Sequence, residues 1–283
     1  MSQERARQAG ASLFRSVLLM ASCCIAAPCA HADPQPGILL EDLTWQEAEA
    51  VLGPQTVVVI PLGAAAKEHG PHLRLDNDLR LAQYFTGRIL SAAAVVVAPT
   101  INYHFYPAFL EYPGSTHLAF ETARELVVDI VRSLANYGPR RFYVLNTGVS
   151  TVRPLEESAQ ALAALGILMR YTNVLKAGEE AVKQVEKQAR GTHADEIETS
   201  MMLYMDPSRV NMKLAVRDDN PRGAAPGGLT RTESGGGTYS PSGVWGDATL
   251  ATREKGEIVV EAMVQAILGD IADLGTAELP GRD

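Results

Sequence analysis

The chain has 283 residues, a formal net charge of −8, 46% hydrophobic residues and three cysteines. An acidic chain with no cluster of Lys or Arg is a poor match for nucleic acid or for an anionic membrane surface, so neither is expected as a partner. Cys23, Cys24 and Cys29 all fall near the N-terminus, which leaves the rest of the chain without disulfides or thiolate chemistry.

Taken in order, the chain opens with Arg5, Arg7 and Arg15, continues with an apolar run over 17–27, and reaches Ala30-His31-Ala32. Basic, apolar and small-x-small in that order describe a secretory signal peptide cut after Ala32, and the apolar run is shorter than the roughly 20 residues that span a bilayer. A lipid anchor at Cys23, through Met20-Ala21-Ser22-Cys23, is the alternative. Residues 1–32 are therefore read as a signal peptide, and 33–283 as a single domain of a periplasmic or secreted protein. Losing Arg5, Arg7, Arg15 and Glu4 with the leader takes the net charge from −8 to −10. A domain of about 250 residues buries a substantial core without staples.

Thr44 with Glu47 three residues later forms a capping-box pattern ahead of a short helix that Gly53-Pro54 stops. Thr56 to Ile60 is an apolar, β-branched strand. Next comes Pro61 to Asp78, with Glu68, His69, His72, Asp76 and Asp78 in eleven positions. Gly70-Pro71 between the two histidines rules out the helix of H-E-x-x-H enzymes, because Pro71 lacks an amide and pushes Gly70 out of the α region. A helix is predicted over Leu79–Ala92, with Asp78 available as its cap, followed by a strand over Ala94–Ala98. The aromatic loop from Asn102 to His117 contains His104. Tyr103, Phe105 and Tyr106 are read as pocket wall or core, His117 as structural, and Lys67 and Arg74 as surface residues. A helix over Glu121–Tyr137, a strand over Arg141–Leu145, a helix over Pro154–Leu165 and a strand over Ile167–Tyr171 follow. A charged helix is predicted over Gly178–Arg190, a helix beginning near Asp195, a long Gly-rich loop over Arg222–Gly246 acting as lid or subunit contact, and a final helix over Glu254–Leu274. Uniformly apolar strands alternating with amphipathic helices predict an α/β fold with a mostly parallel sheet covered on both faces. Ligands in such folds bind beyond the carboxyl ends of the strands.

The sequence has no G-x-S-x-G elbow, P-loop or dinucleotide fingerprint after the first long strand. Metal-assisted hydrolysis remains. Carboxylates and imidazoles would hold a divalent ion (Zn, with Mn or Fe as alternatives), which lowers the pKa of bound water to about 7 and polarises an amide carbonyl.

Several ordered motifs carry a family resemblance: P-L-G then E-H-G-P-H-L…D, Tyr112-Pro113-Gly114, the unit through Asn146, His193-Ala194…Glu198-Thr199-Ser200, and Gly243-Val244-Trp245-Gly246-Asp247…Gly256. Together they resemble the creatininase (creatinine amidohydrolase) family over nearly the whole mature chain. The resemblance implies a creatininase-like α/β fold, a homo-oligomer, and a site of one or two divalent ions that hydrolyses an amide C–N bond of a small, often cyclic substrate. By position in the motifs it implies Glu68, His69 and Asp78 as metal ligands, His193 as the proton carrier to the leaving group, and Glu198 as an orienting or ligating carboxylate. His72 and His104 stand as further ligands or as groups behind them.

Two departures from the family pattern G-[ST]-x-E-Q-H-G-P-H and N-G-H-x-x-N matter. The glutamate expected two before the first histidine is replaced by Glu68 immediately before His69, which requires a bulge or turn for both to face one site. Asn146-Thr147-Gly148-Val149-Ser150-Thr151 supplies neither imidazole nor carboxylate. A non-catalytic ligand-binding or assembly protein on the same fold is therefore the alternative function.

Overall fold

The computed structural model describes residues 36–219 and 228–281. The predicted leader, with its cysteines and the cleavage site after Ala32, lies outside the described residues, as does part of the Gly-rich segment. Strands β1 (Ile38–Leu39), β2 (Val57–Leu62), β3 (Val96–Val97), β4 (Arg141–Asn146) and β5 (Leu168–Tyr171) form a parallel sheet in the order β1-β3-β2-β4-β5. The helices are α1 (Trp45–Val51), α2 (Asn77–Ala92), α3 (Phe120–Ala135), α4 (Val152–Ala163), α5 (Glu179–Val185), α6 (Glu196–Met205) and α7 (Arg253–Thr276).

Alternation along the two central strands decides which helices cover which face. Val58, Ile60, Phe142 and Val144 pack against Val127 and Val131 of α3 and Leu155 and Leu162 of α4. The intervening Val57, Val59, Tyr143 and Leu145 pack against Leu81, Phe85 and Ile89 of α2 and the buried stripe Val259 to Ile271 of α7. Each fully buried side chain of this kind contributes about 1.5–3 kcal/mol. With apolar side chains on both faces, β2 and β4 are stable only as inner strands, which is the α/β arrangement expected. Among the described residues, no helix is long and apolar enough to cross a membrane.

Local signals hold at the ends of several elements. Thr44 caps α1 in a full capping box with Glu47. Asp195 caps α6, accepting the N–H groups of Ile197 and Glu198, and Thr252 caps α7. A Cβ on Gly256 would fall onto the carbonyl oxygen of Ser200, so α6 and α7 cross backbone to backbone and fix the start of α6 against the sheet.

Three elements differ from prediction. The charged helix stops at Val185 rather than Arg190, because the Glu196 carboxylate accepts the N–H groups of Lys187 and Gln188 at 2.8 and 2.6 Å and draws the chain out of the helix. Strand β3 narrows to Val96–Val97. Helix α2 begins at Asn77, one residue before Asp78, and the Asp78 carboxylate is turned away from capping toward His69 and Lys67.

Candidate functional site

Strand β2 ends at Leu62, and residues 63–76 carry the chain to α2 as a loop rather than as extended strand. The loop is pinned by the N–H of Ala65 to Asn102 O (3.1 Å), of Lys67 to Leu75 O (2.9 Å) and of Leu79 to Ala64 O (3.1 Å). The Glu68 N–H donates to Ser115 Oγ at 3.0 Å. Gly70 adopts φ +69°, a left-handed conformation that glycine enters without steric cost. This turn releases Glu68 and His69 from the opposite-face rule of a strand.

His69 is buried, and its Nδ1–H donates to Lys67 O at 2.9 Å. That bond engages Nδ1 and turns Nε2 toward Asp78 Oδ1 at 2.8 Å. A nitrogen and a carboxylate oxygen at that distance share a cation, either a proton or a metal. Asp78 is fully buried, and its other oxygen lies 2.7 Å from Lys67 Nζ. Burial pushes its carboxyl up, but the Lys67 ammonium and His69 overcome this and hold it well below the usual carboxylate range. Lys67 is thus not the surface residue predicted: it is 5% exposed. Its ammonium lies over the Phe109 ring at 4.9 Å and the Tyr106 ring at 5.7 Å.

From the other side, His193 sits just before α6. Its strand-like pairing with Trp245 (Trp245 N to His193 O, 2.8 Å) holds the backbone, and Ala194 turns it at φ +48° into the helix. The Ala194 N–H donates to Glu198 Oε2. His193 Nε2 lies 3.0 Å from Glu68 Oε2, and Nδ1 lies 3.6 Å from Glu198 Oε2. Burial pulls the His193 pKa down, but the Glu68 and Glu198 carboxylates outweigh it and the net shift is upward. Glu68 shows the converse: burial raises it, while His193, the Gly70 N–H and His69 bring it below its ordinary value. Phe109 packs on the His193 ring with centroids 4.4 Å apart, and His69 lies 5.1 Å from it.

Ligand atoms of His69, His193 and Glu198 all lie within 4.8 Å of one another. The sequence expectation had grouped Glu68, His69 and Asp78 around the ion, with His193 on the proton and Glu198 orienting or ligating. The folded chain brings these five residues to one place but groups them differently. Glu68 stands behind His193, and Asp78 lies between His69 Nε2 and the Lys67 ammonium. His72 donates or accepts at Thr199 Oγ1 (2.7 Å) on α6, and burial lowers its pKa to about 4, so the ring is neutral at pH 7. His104 Nε2 donates to Ala123 O of α3 at 3.1 Å. Neither ring belongs to the group of three.

The donor set suits one divalent ion. His69 Nδ1 is engaged by Lys67 O and His193 Nε2 by the Glu68 carboxylate, as metal-binding histidines characteristically are; His69 Nε2, which faces Asp78 Oδ1 at 2.8 Å, would exchange the proton of that contact for the ion. With nitrogen and oxygen ligands only, zinc or manganese is accommodated. The three residues stand beside a cavity of about 570 Å³, lined by Lys67, Phe109, Thr147, Ser150, His193 and Glu198 among others, a size that fits a small molecule.

The family model described as creatinine amidohydrolase matches residues 41–271. The chain belongs to the creatininase family. It is similar to creatinine amidohydrolase of Pseudomonas putida, 27% identical over 255 residues covering 83% of this chain and 96% of that protein. It is also similar to the mycofactocin precursor peptide peptidase of Mycolicibacterium smegmatis, 29% identical, covering 74% and 81%. Among solved structures it resembles a creatininase mutant complexed with creatine (25% identical, 84% and 99% covered, TM-score 0.70). It also shares the fold of a manganese creatininase (24%, 85% and 100%, TM-score 0.71) and of a creatininase mutant of Zn-Zn type (24%, 85% and 99%, TM-score 0.71). Creatininase-family proteins are hydrolases acting on C–N bonds, and this chain is one of them.

The Glu68–His193 pair has a defined pH window. Glu68 is held below its ordinary 4.5, so its contribution to stability is present above about 4.5 and lost as pH falls through the lowered value; His193 is raised above 6.5, so its contribution is full below about 6.5 and lost as pH rises through the raised value. The pair is complete between those limits. In metal-free Glu68→Gln protein, burial then dominates, and the His193 ring titrates lower than in the parent when followed by imidazole NMR. An unchanged His193 titration contradicts the pairing.

Proposed function

We propose that the chain is an exported, metal-dependent amidohydrolase that cleaves an amide C–N bond of a small, cyclic or peptide-like substrate. The observation that carries this reading is the convergence of His69, His193 and Glu198 beyond the carboxyl end of β2, with His193 and Glu198 on the wall of the cavity. A divalent ion bound there supplies a Lewis acid for the amide carbonyl and a water acidified to about neutral pH. The chain's own residues do the rest. Lys67 O and the Glu68 carboxylate hold the outer N–H groups of the two imidazoles and so orient both rings. Phe109 closes one side of His193 and excludes water there. Glu198 is the least buried of the three; the oxygen not held by the Ala194 N–H takes a proton and passes it to the leaving nitrogen.

A second reading, a protein that binds such molecules without turning them over, is favoured by one observation: Asn146 to Thr151 presents no imidazole or carboxylate to the site. Zinc- or manganese-loaded protein separates the two when assayed on creatinine, other lactams and short peptides. Turnover is expected on at least one of these, with His193→Ala and chelation each lowering it by about 100-fold or more. Thermal-shift binding with no turnover across the panel supports the second reading.

Assembly as a homo-oligomer rests on the family resemblance. Export rests on the order of basic, apolar and small-x-small residues over 1–32. Expressed at full length in a Gram-negative host, the protein is expected in the periplasmic fraction with Asp33 as its first residue by N-terminal sequencing. An intact Met1 in the cytoplasmic fraction contradicts export.

A further inference from the structure

We propose that Lys67 is a resident cation at Asp78, and that it restricts this site to a single divalent ion, held by His69, His193 and Glu198. The inference deepens the metal-dependent reading above and rests on it for the identity of that ion.

Asp78 has two oxygens, each facing one nitrogen. Oδ1 faces His69 Nε2 at 2.8 Å, and Oδ2 faces Lys67 Nζ at 2.7 Å. A divalent ion on the Oδ2 side would meet an ammonium that is itself buried, hemmed by the rings of Phe109 and Tyr106. Like charges at such a separation in a water-poor site repel strongly. The far wall offers no replacement ligands. Asn146 spends its amide on Gly148 O and Thr172 O, and its carbonyl oxygen on Gly148 N–H and the Thr151 hydroxyl. Thr147 Oγ1 donates to Leu62 O and Asp78 O, and Ser150 Oγ donates to Phe105 O. A Cβ on Gly148 would come within 2.9 Å of Thr151 Oγ1, so the place of any longer side chain there is already filled. The loop from β4 is satisfied within itself, and the positive charge at Asp78 comes from the chain.

The test is zinc content per chain, by elemental analysis after saturation and desalting, in the full-length parent, Lys67→Glu and Lys67→Met, with thermal unfolding of each before and after zinc. One zinc per parent chain is expected. Lys67→Glu, which puts a carboxylate beside Asp78, is expected to gain a second equivalent. Lys67→Met is expected to melt at lower temperature without metal and to recover more on adding zinc than the parent does. Two zinc ions in the parent overturn the proposal, as does a Lys67→Glu protein that folds and gains none. A parent without zinc overturns the metal reading of the preceding section; if Lys67→Glu then binds zinc, Lys67 as the excluding cation still stands. Should both variants fail to fold, the parent's stoichiometry decides, with one ion upholding the proposal and none or two rejecting it.

Discussion

A carboxylate with no solvent contact must be neutralised where it stands, and Asp78 is such a carboxylate. Removing one partner from a buried ion pair costs on the order of 3–5 kcal/mol, because the remaining charge is left uncompensated. Much of the local architecture follows from that constraint. Lys67 must be brought inside, so the loop after β2 folds back with its N–H on Leu75 O. His69 must present Nε2 to the same carboxylate, so its Nδ1–H is tied to the Lys67 carbonyl. Residue 67 therefore acts twice, through its side chain on Asp78 and through its backbone on the ring beside it.

The sheet explains why this happens at one edge. With every strand parallel, the chain leaves β2 and β4 on the same side, and the connections to α2 and α4 meet above the strand ends. Helix α6 joins them because Gly256 lets α7 approach within backbone contact. The close approach places His193 opposite His69, and Asp195 caps the helix so that Glu198 falls in its first turn. Three segments far apart in sequence thus share one cavity, each held by hydrogen bonds independent of any ligand.

The sheet was legible from residues because its signals are local. Thr56 to Ile60 and Arg141 to Leu145 are apolar at every position, and Thr44, Asp195 and Thr252 announce helix starts by their own side chains. The five residues His69, Asp78, His193, Glu198 and Glu68 singled out from the motifs come together in the fold. Which of them face one another was not legible, because it depends on where side chains point from a loop, and those directions are set by contacts with Ser115, Leu75 and Trp245. Lys67 was misread for the same reason. A lysine in a polar loop is ordinarily solvated, and only the carboxylate folded beneath it makes burial favourable. The shortened α5 has a similar origin, in the distant Glu196 carboxylate.

The central claim is that one divalent ion and one ammonium share the positive charge around His69 and Asp78. Anomalous scattering at the zinc edge from zinc-soaked crystals measures this directly. The account predicts one anomalous peak, among His69, His193 and Glu198, with Lys67 Nζ still within hydrogen-bonding distance of Asp78. Two peaks bridged by Asp78, with Lys67 displaced, would contradict it.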